Sequence, residues 1–196
     1  MTILWRNFFA SASILLLAAC ATETPRGSAV APVAPSADTE YRITAAQAGP
    51  VTPGTPFSKA KLQSLFPGKR VETIALATDA HTFYGFVVFD GGFQVMAAEP
   101  DAGNRTITAI HGVGPAVAGP NGEKIGMAFS QAGISPRNCK VGTNLWAGMA
   151  ICPANHTPNV KLVFFDSSWG QPDGRLPPAS ELARGQLQRI VWTPPG

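Results

Sequence analysis

The chain has 196 residues, 45% hydrophobic and 14% charged, with a formal net charge of +3. That apolar share supports a packed core and excludes a disordered chain. The near balance of 15 basic against 12 acidic residues, with no long basic run, excludes a nucleic-acid surface.

Residues 1–19 are predicted to be a signal peptide. Arg6 is the lone charge ahead of an apolar run from Phe8 to Ala19. As a helix this run reaches about 18 Å at ~1.5 Å per residue, short of the ~30 Å bilayer core. It therefore fits a signal h-region. Leu17-Ala18-Ala19-Cys20 resembles the lipobox of bacterial lipoproteins. That resemblance implies a diacylglycerol on the Cys20 thiol, cleavage before it and acylation of the new amino group. Two acyl chains anchor stably, each buried methylene adding ~0.8 kcal/mol. Ala21, where an Asp would retain a Gram-negative lipoprotein in the inner membrane, implies the inner leaflet of the outer membrane, facing the periplasm. A plain secretory signal and an uncut anchor are the alternatives. Residues 20–40 then hold the lipidated cysteine and a Pro/Ala/Ser-rich tether, extended where proline is dense.

Residues 41–196 are expected to form a single mainly-β domain. Tyr41 to Thr44 can begin a first strand. Gly49-Pro50 to Pro53-Gly54 breaks the chain. Thr55-Pro56 predicts a helix start, Thr as N-cap and Pro at the first position, with Pro67-Gly68 as the stop. Val71–Ala77 and Thr82–Phe89 read as strands, the second apolar on both faces and so well covered. Asp90-Gly91-Gly92 predicts a hairpin. Phe93–Ala98 returns, Pro100–Asn104 turns, and Arg105–His111 is a further strand with Ile107 and Ala109 facing one way. A glycine-rich stretch, 112–126, precedes a helical turn at Met127–Ala132. Leu145–Cys152, Val160–Asp166 and Leu187–Trp192 read as strands, with a turn-rich loop at Trp169–Pro178 and a short helix at Ala179–Ala183. The expected architecture is a β-sandwich or partly open barrel of short, mostly antiparallel strands with two or three short helices.

Cysteine usage agrees with export. With Cys20 lipidated, Cys139 and Cys152 remain as a pair in an oxidising compartment. A disulfide closing their loop of about 14 residues is worth roughly 3 kcal/mol in the chain-entropy model. They lack the C-x-x-C spacing of a redox pair.

No catalytic or metal-ligating constellation is expected. Ser58-Lys59-Ala60-Lys61 matches S-x-x-K, but the companion S-D-N and K-T-G motifs are missing. His81, His111 and His156 have no metal-ligand spacing. A trio of Ser168, His156 and Asp166 lacks a nucleophile elbow. Gly112-Val113-Gly114 is followed by Pro115, with no long helix to receive a phosphate. No cofactor is implied. The remaining candidate is the loop Trp169-Gly170-Gln171-Pro172-Asp173-Gly174-Arg175, where Trp169, Gln171, Asp173 and Arg175 can make a binding edge. The competing reading has Trp169 capping the core above a Pro172-Asp173-Gly174 turn.

Four features carry a wider resemblance. They are Gly49-Pro50 leading to Thr55-Pro56-Phe57-Ser58, the Leu65-Phe66-Pro67-Gly68 helix end, the Cys139 and Cys152 pair flanking a strand, and the ending Trp169-Gly170-Gln171-Pro172-Asp173-Gly174, Leu176-Pro177-Pro178, Ile190-Val191-Trp192. Over most of residues 41–193 the chain resembles the RpoE-regulated envelope lipoproteins, a domain family of unknown function. The resemblance implies a mainly-β domain on a lipid anchor, connected with envelope stress, and supplies no catalytic residues. The expected function is a non-catalytic binding or assembly module, held to the membrane by its lipid and facing envelope proteins as candidate partners. An envelope enzyme or enzyme inhibitor acting on cell-wall or lipid substrates, and a lipid-carrying module with a cavity lined by Phe83, Phe86 and Phe164, are the alternatives.

Overall fold

The computed structural model describes residues 40–169 and 174–196. The expected signal peptide, Cys20, nearly all of the tether, and Gln171 and Asp173 lie outside the described residues. The fold is mainly β. Eight strands make one antiparallel sheet in the order β2 (Arg70–Ala77), β3 (Thr82–Asp90), β4 (Phe93–Pro100), β5 (Ile107–Gly112), β10 (Gln186–Trp192), β9 (Thr157–Phe165), β8 (Ala150–Ala154) and β7 (Lys140–Val141). A parallel pair, β1 (Tyr41–Arg42) and β6 (Val117–Ala118), stands beside it.

The expected β2–β5 meander forms. Gly91 and Gly92 both take positive φ, as a tight primed turn after β3 requires. The sheet is not closed into a barrel, since β2 and β7 remain its two edges. Its far ends nevertheless meet at one corner. The carbonyl of Asp79, in the loop after β2, accepts from Thr143 Oγ1 (2.8 Å) and from Asn144 Nδ2 just after β7.

One face of this curled sheet carries the larger core. Ile43, Leu62, Phe66, Met96, Ile110, Leu162, Phe164, Leu187, Ile190 and Trp192 are essentially fully buried there. Each such side chain contributes about 1.5–3 kcal/mol relative to exposure. The Trp192 indole satisfies its one polar atom by donating to the Ala45 carbonyl (3.2 Å). A smaller cluster of Ala109, Trp146, Ile151, Val163 and Val191 lies apart from this core.

Three local expectations are corrected. The first helix, α1 (Lys59–Leu65), starts three residues later than Thr55-Pro56 predicts, with Ser58 as N-cap accepting from the Lys61 amide (3.2 Å). Thr55 instead donates its hydroxyl to the Thr52 carbonyl (2.7 Å), and Thr55–Phe57 runs extended beside residues 105–107. In the segment Leu145–Cys152 only the second half is strand. Residues Asn144–Trp146 form a 3₁₀ turn, begun by Asn144 at φ 49° and pinned to Asp79. Finally, Ile107 and Ala109 serve different clusters, because β5 skips a residue. Pro100 pairs with Ile107 and Glu99 with Ala109, leaving Thr108 as a bulge.

Cys139 and Cys152 are joined as a disulfide, tying the turn before β7 to β8. The last helix, α2 (Ala179–Leu182), lies where the sequence predicts it.

Candidate functional site

The smaller cluster lines a cleft of about 350 Å³, bounded by the Thr78–His81 loop, Trp146 and side chains of β5, β9 and β10. Two bulges build it. Beyond Thr108, Ala109 and His111 turn toward the cleft while Ile110 enters the core. In β10, Leu187 pairs with Phe164 and Arg189 with Val163, so Gln188 is skipped. Ile190 and Trp192 then point into the core and Val191 toward the cleft. A slip of one residue exchanges the faces of every side chain that follows.

The centre of the cleft is a carboxylate held by two imidazoles. Glu99 Oε2 lies 3.2 Å from His111 Nε2, and Glu99 Oε1 lies 3.2 Å from His81 Nε2. Strand register makes this possible: Glu99 pairs with Ala109, one step along the same face from His111, and His81 immediately precedes β3. His111 is 2% exposed, between the ring of Phe83 (6.5 Å) and the ring of Trp146 (6.0 Å). With Nε2 donating to the carboxylate, the buried Nδ1 is an acceptor with no partner among the described residues. Burial pulls the His111 pKa below its ordinary 6.5; the Glu99 hydrogen bond pushes it up, and the charge of Arg189 pushes it further down.

Cations occupy the opposite side. Lys140, Ile151, Val163 and Arg189 form one cross-strand row, and Lys161, Val191, His111 and Ala97 form the next. Lys161 is held below its usual pKa by burial first and by the Lys140 charge second. Its Nζ donates to the Pro158 carbonyl at 2.6 Å. Arg189 lies behind Trp146, its guanidinium carbon 5.4 Å from the indole centroid, and burial works against its charge as well. At the rim Lys140 meets Asp79 at 3.5 Å.

The hydroxyls lining the cleft are already engaged. Thr108 Oγ1 donates to the Pro100 carbonyl (2.9 Å), Thr193 Oγ1 to the Asn159 carbonyl (3.2 Å) and Thr78 Oγ1 to the His81 carbonyl (3.4 Å). The arrangement can hold a ligand by charge and by apolar contact. Among the described residues no hydroxyl is hydrogen-bonded to either imidazole.

Of the loop singled out from sequence, Trp169 and Arg175 are among the described residues and neither lines the cleft. Trp169 is buried at 3% exposure, donates Nε1 to the Glu181 carbonyl (3.0 Å) and packs on Phe165 (6.1 Å). Its ring caps the core and is not offered to a ligand. The close fit excludes any side chain at Gly185, whose added Cβ would overlap the indole. Arg175 is exposed. The S-x-x-K serine, Ser58, is spent as the cap of α1. Sequence reasoning passed over Glu99, Lys161 and the pairing of His81 with His111, because no short motif joins them. The one available signal was hairpin register across the Pro100–Asn104 turn.

Residues 28–194 match the model of a family described as a protein of unknown function (DUF1131). The crystal structure of the uncharacterized protein YfeY from Escherichia coli is similar, with a TM-score of 0.64 and 20% sequence identity over 78% of this chain and 99% of that one. At that identity the likeness is one of fold. No curated protein sequence matches.

Proposed function

The chain belongs to the DUF1131 family of proteins of unknown function, and on that footing we propose that it is a non-catalytic binding module of the bacterial envelope whose ligand enters the cleft at Glu99. The observation that carries this reading is the cleft itself, an apolar concavity with a few convergent polar groups, the usual form of a small-molecule site. Engagement of its threonine hydroxyls by backbone carbonyls supports binding over group transfer. The packing of Phe164 on Phe129 (5.1 Å), with the surrounding core filled, favours this open cleft over carriage of a lipid between layers. The lipobox-like Leu17-Ala18-Ala19-Cys20 supports a lipid anchor on Cys20 and a place on the periplasmic side of the outer membrane. The link to envelope stress follows the RpoE-regulated resemblance and belongs to the same proposal.

The test is photocrosslinking in the native cells. A photoreactive residue at Ala80, on the cleft rim, is compared with one at Lys59 on α1, each in the wild type and in Cys20→Ala. The reading expects an adduct specific to position 80, membrane fractionation of the wild type, and loss of both in Cys20→Ala. Equal labelling at the two positions defeats the cleft. An unchanged membrane fraction in Cys20→Ala defeats the anchor.

A further inference from the structure

Lys161 and Arg189, across the cleft from Glu99, place positive charge that no carboxylate among the described residues contacts. Both carboxylates of the cleft are occupied, Glu99 by His81 and His111 and Asp79 by Lys140. Among the described residues, neither Lys161 nor Arg189 has a carboxylate within salt-bridge reach. Lys161 has a carbonyl, and Arg189 an indole face. Charge removed from water without a counter-ion is costly, and more so where the walls are apolar. Here they are: Ala109, Ile151, Val191 and Trp146 line the cleft beside the cations. Two ammonium groups on adjacent cross-strand rows also repel each other, a penalty that an anion between them reverses.

We propose that the cleft binds a small organic oxyanion, a carboxylate or phosphate monoester, with its charged group at Lys161 and Lys140 and its apolar body on Trp146, Ile151 and Val191. This rests on the reading of the cleft as the binding place and adds the chemistry of what it takes. The volume suits one small molecule. Lysine ammonium groups serve as point charges for either oxyanion, without the bidentate plane that arginine imposes. Arg189 adds its field from behind the indole.

Calorimetric titration of the full-length chain in detergent tests it, with phenyl phosphate, phenylacetate and phenethylammonium as probes of matched apolar size. The variants are Lys161→Gln, Lys140→Gln and, as a control on α1, Lys59→Gln. The expected result is saturable binding of at least one anion with a Kd below about 1 mM. That binding weakens at least about tenfold in Lys161→Gln, weakens less in Lys140→Gln, is unchanged in Lys59→Gln, and falls with added salt. Tighter binding of phenyl phosphate assigns the phosphate monoester, and tighter binding of phenylacetate the carboxylate. If Lys161→Gln does not fold, Lys140→Gln decides, since that side chain is exposed. Saturable binding of phenethylammonium alone overturns the oxyanion while leaving the cleft as a binding place. Absence of binding by all three probes, or anion binding indifferent to both cleft lysines, also overturns it, and crosslinking at Ala80 then judges the cleft separately.

Discussion

His111 combines near-complete burial, one hydrogen bond to Glu99 and a ring nitrogen without a partner among the described residues. The groups facing it are Glu99, the Arg189 charge, and the rings of Phe83 and Trp146. Burial is the largest influence, so the folded protein keeps His111 neutral below the ordinary 6.5. As pH falls through 6.5 the unfolded chain takes up the proton first. Stability from the neutral form is therefore full above that value and is lost below it, by at most about 1.4 kcal/mol per pH unit. Melting temperature is expected to fall between pH 7.5 and 5.5, and to fall less steeply in His111→Gln. An equal slope in both proteins counts against the assignment. Asp101 and Asp166 do not confuse that window. Hydrogen bonds from the Arg105 amide and from Ser168, respectively, hold them below 3.8, so their contributions are lost only in stronger acid.

Elements form where local signals are self-contained. The Asp90-Gly91-Gly92 hairpin has two glycines at positive φ, and β9 has Val160, Leu162 and Phe164 on its core side, so composition alone places both. Helix α1 starts late because a better cap is available. Thr55 is drawn into a pairing with residues distant in sequence, which no local window contains, and Ser58 is left to cap the helix. Ser58→Ala is expected to destabilise the protein by about 1 kcal/mol, read as a drop of a few degrees in Tm. Thr55→Ser keeps the hydroxyl and should leave Tm nearly unchanged. The cleft was hidden for a related reason. Without the bulge at Thr108, Met96 would pair with His111 and the imidazole would enter the core. Nothing in Arg105–His111 announces a skipped residue, so His81, Glu99 and His111 read as three unrelated polar positions. The fold was legible because periodicity and turns are local. The site was not, because two register shifts make it.

At the scale of the molecule, a mainly-β body with short helices was expected and is observed, as one eight-stranded sheet with a two-stranded pair beside it. The Cys139–Cys152 disulfide fastens the β7 edge, the shortest strand of that sheet, to its neighbour across a sequence separation of 13. Its removal acts on the unfolded chain as a whole. Reduction is expected to cost roughly 3 kcal/mol in the chain-entropy model, several degrees of Tm at this size. An unchanged melting curve in reductant would remove the bridge from the account of stability.

Strand β10 has one further consequence, and it concerns time. Sequence neighbours pair on either side of it: β2 to β5 form one meander and β7 to β9 another. Strand pairing between them runs through Gln186–Trp192, reaching β5 from the far side of more than seventy intervening residues. As the chain folds from its N-terminal side, two half-sheets can assemble early, each with an unpaired edge exposed. The junction waits for the last strand, and so do the two rows that carry Arg189 and Val191 and the hydrogen bond of Trp192 to the Ala45 carbonyl. A chain of this topology stays open until its last strand is in place.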